Sequence, residues 1–116
     1  SPAMNFFQGR IVGSGFVTDS GVTLPLGELP AGADGRLAIY GIRPEHIEVD
    51  QTSETLIDVE VIEPAGSETQ VFGKLGGASV LVACRERLQA KPGQTVPIRP
   101  VTSAVHLFDQ ETGRRL

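Results

Sequence analysis

The frequency of glycine and proline is the feature that most restricts what this chain can fold into. Its 14 glycines and 8 prolines divide the 116 residues into short segments. No segment between them keeps a helical apolar period for three turns. Short runs of alternating apolar and polar residues fill these segments instead, which is typical of a β-sandwich or β-barrel. The sequence therefore predicts an all-β protein.

The alternating runs predict a series of short strands. Asp19-Ser20-Gly21 and Gly76-Gly77 lie between paired runs and are predicted hairpin turns, because glycine adopts positive φ at little cost. Pro64-Ala65-Gly66 is expected to end the strand that contains Ile57, and residues 85–90 are the only predicted helical turn. The predicted strands are 5–12, 16–18, 22–24, 36–42, 47–49, 57–61, 69–75, 79–84, 95–99 and 105–108.

A short internal repeat suggests that the chain contains two similar units. Ile42-Arg43-Pro44 recurs as Ile98-Arg99-Pro100. Each copy ends one predicted strand and is followed by another, Ile47 to Val49 and Val105 to Phe108. If this similarity reflects two β-units, the boundary between them falls near Gln51.

Charge and composition exclude several classes of partner. The net charge is −4, the chain has only five Phe, one Tyr and no Trp, and its Lys and Arg residues are scattered. Nucleic-acid binding needs concentrated positive charge or stacking aromatics, so neither nucleic acid nor an anionic membrane surface is an expected partner. No run approaches the roughly 20 apolar residues of a membrane span. The single cysteine, Cys84, fits a reducing, cytoplasmic setting.

No motif in the sequence predicts catalysis. The phosphate-binding patterns GxxxxGK[ST] and GxGxxG are missing, and Gly13-Ser14-Gly15 is better explained as a turn. His46, His106 and Cys84 lack metal-ligand spacing, and Cys84 lies in an apolar run. We therefore predict no catalytic, cofactor-binding or metal-binding residue in this chain.

The densest polar run is Gly41 to Asp50, with the sequence GIRPEHIEVD. Proline pushes the preceding residue toward extended backbone, so Arg43 is expected to end a strand. Two interpretations remain open. In the first, Arg43 pairs with Glu45 and His46 bonds a nearby carbonyl, which makes a structural clasp. In the second, the same side chains form a polar docking surface.

Four blocks in order carry a resemblance to a known family. They are SPxMNF at 1–6, GIRPEH at 41–46, VxVIExxGSETQ at 59–70 and HLFDxxTGxRL at 106–116. The chain resembles the C-terminal regulatory segment of ATP-binding subunits of ABC importers, in the carbohydrate-uptake group with maltose-type and glycerol-3-phosphate-type transporters. Because Met stands at position 4, we expect a fragment of a longer chain.

The resemblance implies an OB-like β-barrel of two small interwoven units with Greek-key-like connections, spanning residues 1–116. It implies that a nucleotide-binding domain, absent here, precedes the segment and holds ATP and Mg. The Walker motifs belong to that domain, so this chain is not expected to be an enzyme. The family's hallmark positions, expected near an interface, are Gly41, Ile42, Arg43, Pro44, Glu45, His46, Gly66, Glu68, Thr69 and Gln70.

Two functions follow from the resemblance as hypotheses. The first is a non-catalytic regulatory and dimerisation module, which forms a homodimer, joins the membrane subunits through the full-length protein and in some members receives a regulatory protein. It would lie in the cytoplasm at the inner face of the membrane. The alternative is a small-ligand or oxyanion sensor, with Ser67, Thr69 and Lys74 as ligand residues.

Overall fold

A computed structural model describes residues 4–116, so Ser1 to Ala3 of the first matched block lie outside the described residues. Two 3₁₀ helices, Pro44–His46 and Thr102–Ala104, follow the fourth and ninth strands. No helix in the described range is long and apolar enough to cross a membrane. The strands are β1 (Asn5–Val12), β2 (Gly15–Thr18), β3 (Thr23–Pro25), β4 (Leu37–Ile42), β5 (Ile47–Val49), β6 (Leu56–Ala65), β7 (Glu68–Leu75), β8 (Ala78–Cys84), β9 (Thr95–Pro100) and β10 (His106–Asp109).

The strands form two antiparallel sheets with the same topology. The first sheet has the order β10-β4-β1-β2-β3, and the second has the order β5-β9-β6-β7-β8. Strands β1 to β4 therefore correspond one by one to β6 to β9. The fifth strand of each set is exchanged, because β5 pairs with β9 and β10 pairs with β4. The predicted fold, two interwoven OB-like units, is confirmed, and the boundary near residue 51 stays a prediction.

The two Ile-Arg-Pro copies mark the points where the chain crosses between the sheets. Ile42-Arg43-Pro44 follows β4 into the first 3₁₀ helix and then β5, which joins the second sheet. Ile98-Arg99-Pro100 ends β9, and the chain then passes through the second 3₁₀ helix into β10. The two crossings are bonded to each other, because the Val101 amide donates to the His46 carbonyl at 2.9 Å.

One core lies between the sheets. In β1, buried and exposed residues alternate along all eight positions, which places Phe7 and Ile11 in the core and leaves Phe6 and Val12 outside it. Tyr40 is fully buried and its hydroxyl donates to the Pro25 carbonyl at 2.7 Å, with its ring 5.2 Å from that of Phe16. Burial raises the pKa of Tyr40, so this phenol stays protonated. Other fully buried members are Ile11, Leu24, Ile57, Val71, Val82 and Ile98.

The predicted helical turn at residues 85–90 is wrong, because this segment is irregular in the structure. Leu88 and Ala90 are half-buried against the core, while Gln89 between them is exposed. That spacing matches an extended chain and not a helix, and it places both apolar side chains on one side. The helical turns lie instead at the two crossings, where Pro44 occupies the first position of its helix.

Strand β6 also continues further than predicted, through Pro64 to Ala65. Pro64 lacks an N–H and disrupts a central strand. At this end, however, β6 pairs only with β7, since its pairing with β9 is confined to residues 56–58. Pro64 therefore sits where β6 is an edge strand, and the chain turns at Gly66, whose φ is +66°.

The side chain of Asn5 ties the first sheet to the edge of the second. Its Nδ2 donates to the Leu81 carbonyl at 2.9 Å, and the Leu81 amide donates to its Oδ1 at 2.8 Å. Strand β8, which contains Leu81, is an edge strand with backbone groups that have no neighbouring strand on that side. The amide of Asn5, only 8% exposed, therefore acts as a short substitute for a strand.

We predict that Asn5→Ala lowers the free energy of unfolding by about 2–3 kcal/mol, because two hydrogen bonds are lost and the Leu81 amide and carbonyl stay partly buried. Urea unfolding monitored by circular dichroism measures the loss. Gln8→Ala, on the exposed face of the same strand, serves as the control and should change stability little. Equal midpoints for wild type and Asn5→Ala would show that the pairing contributes nothing.

Candidate functional site

Members of both predicted hallmark blocks line a single surface cleft of about 1070 Å³, which we name the corner cleft, but Gly41 to Pro44, Gly66 and Thr69 are not among its lining residues. Glu45 and His46 come from the first crossing, whereas Ser67, Glu68 and Gln70 come from the turn between β6 and β7 and the start of β7. The exchange of β5 into the second sheet brings the blocks together. The other lining residues are Ile47, Glu48, Val49, Asp50, Gln51, Thr52, Ala83, Cys84, Arg85 and Glu86.

Backbone contacts, and not side-chain pairs, hold the corner. Arg43 is extended, with φ −74° and ψ 150°, as expected before a proline, and Pro44 is buried. The His46 amide donates to the Arg43 carbonyl at 3.0 Å, which closes the 3₁₀ turn. Arg43 and Glu45 are both exposed and form no ion pair with each other within residues 4–116. The Arg43–Glu45 clasp is therefore not formed.

The arginine of the second Ile-Arg-Pro copy does form an ion pair. Arg99 Nε donates to Asp50 Oδ2 at 2.8 Å, and Asp50 is the last residue of the GIRPEHIEVD run. Thr52 donates to Asp50 Oδ1 through its hydroxyl at 2.6 Å and its amide at 2.9 Å. The Thr52 hydroxyl, then Arg99 and the Thr52 amide, lower the pKa of Asp50 to about 2. This carboxylate is charged at neutral pH and its bonds fix one wall of the cleft.

Gly41 has a steric role that the sequence did not reveal. Its strand partner across β1 is Phe6, and a Cβ built on Gly41 would lie 2.8 Å from Met4 Sδ, 3.1 Å from Phe108 and 3.2 Å from Phe6. The missing side chain therefore leaves room for one sulfur and two aromatic rings to converge over the backbone. Its φ is not positive, so packing and not conformation requires glycine here. The sequence signal for this close packing is a glycine inside a predicted strand.

The predicted ligand residues do not converge. Ser67 lies in the turn before β7, and Thr69 lies near the start of that strand, opposite Cys84. Lys74 lies near the other end of β7, five residues beyond Thr69, which is roughly 17 Å along a strand. Its Nζ donates to Ser79 Oγ at 2.9 Å. The structure therefore does not bring Lys74 together with the two hydroxyls.

The corner cleft has no assembled reactive group. Burial raises the pKa of Cys84, whose Sγ donates weakly to the Glu86 carbonyl at 3.6 Å, so the thiol stays protonated. Within the described residues, no three His, Cys, Asp or Glu side chains are placed to hold a metal ion. The cleft lining carries five carboxylates but only Arg85 and His46 as basic groups. Such a surface suits contact with a partner better than capture of an anion.

Next to the corner, His106 lies among cations. It faces Gly41 across β10 and β4, and its Nδ1 is 2.6 Å from an Arg115 guanidinium nitrogen. Partial burial, then the charges of Arg115, Arg43 and His46, lower the pKa of His106. The neutral imidazole accepts the Arg115 hydrogen bond, so His106 is a hydrogen-bonded structural residue.

Fold and site together define a binding or regulatory β-module built from two strand-exchanged OB-like units. The chain belongs to the TOBE domain family, which matches residues 40–108. The MalK OB fold domain matches residues 1–47. The family named by resemblance is thus confirmed.

The chain is also similar to ATP-binding proteins of transporters. It is 35% identical over 122 residues to the sulfoquinovosyl glycerol transport ATP-binding protein SmoE of Agrobacterium fabrum. It is 35% identical over 120 residues to the sn-glycerol-3-phosphate import ATP-binding protein UgpC of Salmonella typhi. Each match covers 100% of this chain but only 34% of the relative. The chain spans about a third of the length of these relatives.

A solved structure shares the fold. The cytoplasmic molybdate-binding protein ModG superposes with a TM-score of 0.74 over 92% of this chain and 96% of that chain. The two sequences are 18% identical, so the similarity concerns the fold alone.

We predict that Gly41→Ala destabilises the protein by about 1 kcal/mol relative to Gly15→Ala, because the added methyl group displaces Met4 Sδ and presses against the rings of Phe6 and Phe108. Gly15→Ala is the matched control, since a Cβ there meets only ordinary contacts, the nearest at 3.5 Å, and φ is not positive. Chemical denaturation measures both. If the clash causes the loss of stability, the double variant Gly41→Ala/Phe6→Ala should recover part of it. Strictly additive effects of the two substitutions on the free energy of unfolding would contradict this explanation.

We predict that His106 makes the protein less stable in mild acid. The folded state keeps this imidazole neutral, while the unfolded chain binds a proton near the ordinary pKa of about 6.5. The free energy of unfolding should therefore fall as pH decreases through this range, and less so in His106→Gln. Urea unfolding at a series of pH values measures the two slopes. Identical slopes in both proteins would exclude this contribution.

Proposed function

We propose that this chain is the non-catalytic regulatory module of the ATP-binding subunit of an ABC importer for a sugar or sugar phosphate. The observation that carries the proposal is the full coverage of this chain by SmoE and UgpC, of which it matches only a third. The remaining two thirds would hold ATP and Mg and hydrolyse the nucleotide. Through that part and the membrane subunits, the module would lie at the cytoplasmic face of the membrane.

We further propose that the module forms a homodimer through the corner cleft. Burial at the corner supports this proposal, because Ile42 and Pro44 are buried while Arg43 and Glu45 between and beside them are exposed. The buried members maintain the crossing between the sheets. The exposed members have no part in the internal packing, so their positions are available for contacts with a second copy or a regulatory protein.

ATP binding and hydrolysis should distinguish the 116-residue chain from the full-length protein. The 116-residue chain should not bind or hydrolyse ATP, whereas the full-length gene product should do both. Sedimentation equilibrium should show concentration-dependent dimers of the chain, and Arg85→Ala should weaken them without lowering stability, because Arg85 is an exposed basic residue that lines the corner cleft. Arg87→Ala is the matched control, because Arg87 is exposed but does not line the corner cleft. It should leave dimerisation unchanged.

Two results would count against the proposal. Dimerisation through this module would be excluded if the 116-residue chain and the full-length protein both remained monomeric at high concentration. ATP hydrolysis by the 116-residue chain would exclude a purely regulatory role.

A second candidate is a sensor of small oxyanions. The shared fold with ModG, a molybdate-binding protein, supports this candidate. Its weakness is chemical, because Lys74 is bonded to Ser79 and the corner cleft is rich in carboxylates. Calorimetry with molybdate, sulfate and phosphate separates the two functions. Saturable binding of one of these anions at micromolar concentration would favour the sensor, and no heat would favour the dimerisation module.

A further inference from the structure

The outer face of the first sheet carries an exposed aromatic cluster. Phe6 is 58% exposed, although its ring meets Phe108 edge-on with 6.2 Å between centroids. Ile39 lies directly opposite Phe108 across β4 and β10, and Gly41 forms the floor beneath Met4 and the two rings. We name Met4, Phe6, Ile39 and Phe108 the aromatic face. Exposed clusters of this kind in a folded protein are usually covered by another protein surface.

The charges around the aromatic face contrast with those of the rest of the molecule. In an acidic chain, the described strand residues that share this side of the first sheet include Arg10 but no Asp or Glu, and the Arg115 guanidinium bonds the neutral His106 at the same side. Exposed residues of the second sheet include Glu48, Asp58 and Glu60. The surface that covers the aromatic face should therefore be apolar at its centre and carry carboxylates at its rim.

The position of Met4 identifies the covering surface. Met4 belongs to the aromatic face and immediately precedes β1, whose first residue, Asn5, is held by its pairing with Leu81. In a longer protein, the polypeptide on the N-terminal side of Met4 therefore reaches the described part of the module beside this face. The relatives SmoE and UgpC are about three times as long as this chain, so the joined polypeptide is large enough to form such a cover.

We infer that the aromatic face is the docking surface for the ATP-binding part of the same polypeptide. This inference rests on the proposed function, which supplies that part. A second copy of the chain is a poorer occupant, because it would have to compete with a polypeptide that is already joined to the module beside Met4. The aromatic face thus fixes how the module is oriented on its own subunit, while the corner cleft serves contacts between subunits.

Met4 provides the test, because it is the only methionine in the chain and its oxidation is easily measured. Hydroxyl-radical footprinting with mass spectrometry would be applied to the full-length gene product and to the 116-residue chain, each at two concentrations. Oxidation of Met4 and Phe6 should be roughly fivefold slower in the full-length protein at both concentrations, because covered side chains react only when the contact opens. Phe72, on the second sheet, is the internal control and should react equally in both proteins.

A variant gives an independent measurement. Phe6→Ser should hardly change the thermal unfolding of the 116-residue chain, since this side chain is mostly exposed there. In the full-length protein it should lower the unfolding temperature of the module and restore Met4 oxidation. Val61→Ser, at an exposed apolar position of the second sheet, is the matched control and should do neither.

The possible outcomes are distinct. Equal Met4 oxidation in the chain and in a full-length protein that binds ATP would overturn the inference and leave the proposed function intact. Protection that appears only when the 116-residue chain is concentrated would assign the aromatic face to a second copy, which also overturns it. A full-length protein that does not bind ATP would refute the proposed function and, with it, the identity of the covering part.

Discussion

The pairing between the Asn5 amide and the backbone of Leu81 is the constraint on which the arrangement of the two sheets depends. Strand β8 is an edge strand, and its free amide and carbonyl would otherwise require water or another strand. Asn5 satisfies both groups at 2.8 and 2.9 Å. Because Asn5 is the first residue of β1, this contact sets the position of the first sheet against the second. The common core depends on that position, whereas the corner cleft depends on the exchange of β5.

Much of the secondary structure was predictable because it depends on local patterns. Alternation located all ten strands to within a few residues, and glycine located the hairpin turns. The prediction of a helical turn at residues 85–90 was wrong because Leu88 and Ala90 pack against the core as an extended segment. Tertiary packing outweighs local helix propensity here. The continuation of β6 through Pro64 depends on which neighbours pair with it, and a single sequence contains no direct record of pairing.

The site was predictable as a set of residues but not as a geometry. The blocks around GIRPEH and GSETQ were identified from sequence, and they line one cleft because β5 leaves its own half of the chain and pairs with β9. Nothing in the local pattern of Ile47 to Val49 reveals that exchange. Met4, Phe6 and Phe108 belong to two of the matched blocks, but their convergence was not predicted, since they meet over Gly41 only when β1, β4 and β10 are aligned.

The exchange of β5 and β10 has a mechanical consequence. Neither set of five strands can separate from the other without breaking a strand pairing in both sheets, so the two units unfold as one cooperative body. The crossings are short, with three-residue 3₁₀ helices and no long flexible loop. We therefore expect this 42 Å long body to rotate as a whole when one end of it is displaced. The two units would then move as one rigid body, whereas two barrels joined by a flexible linker could move independently.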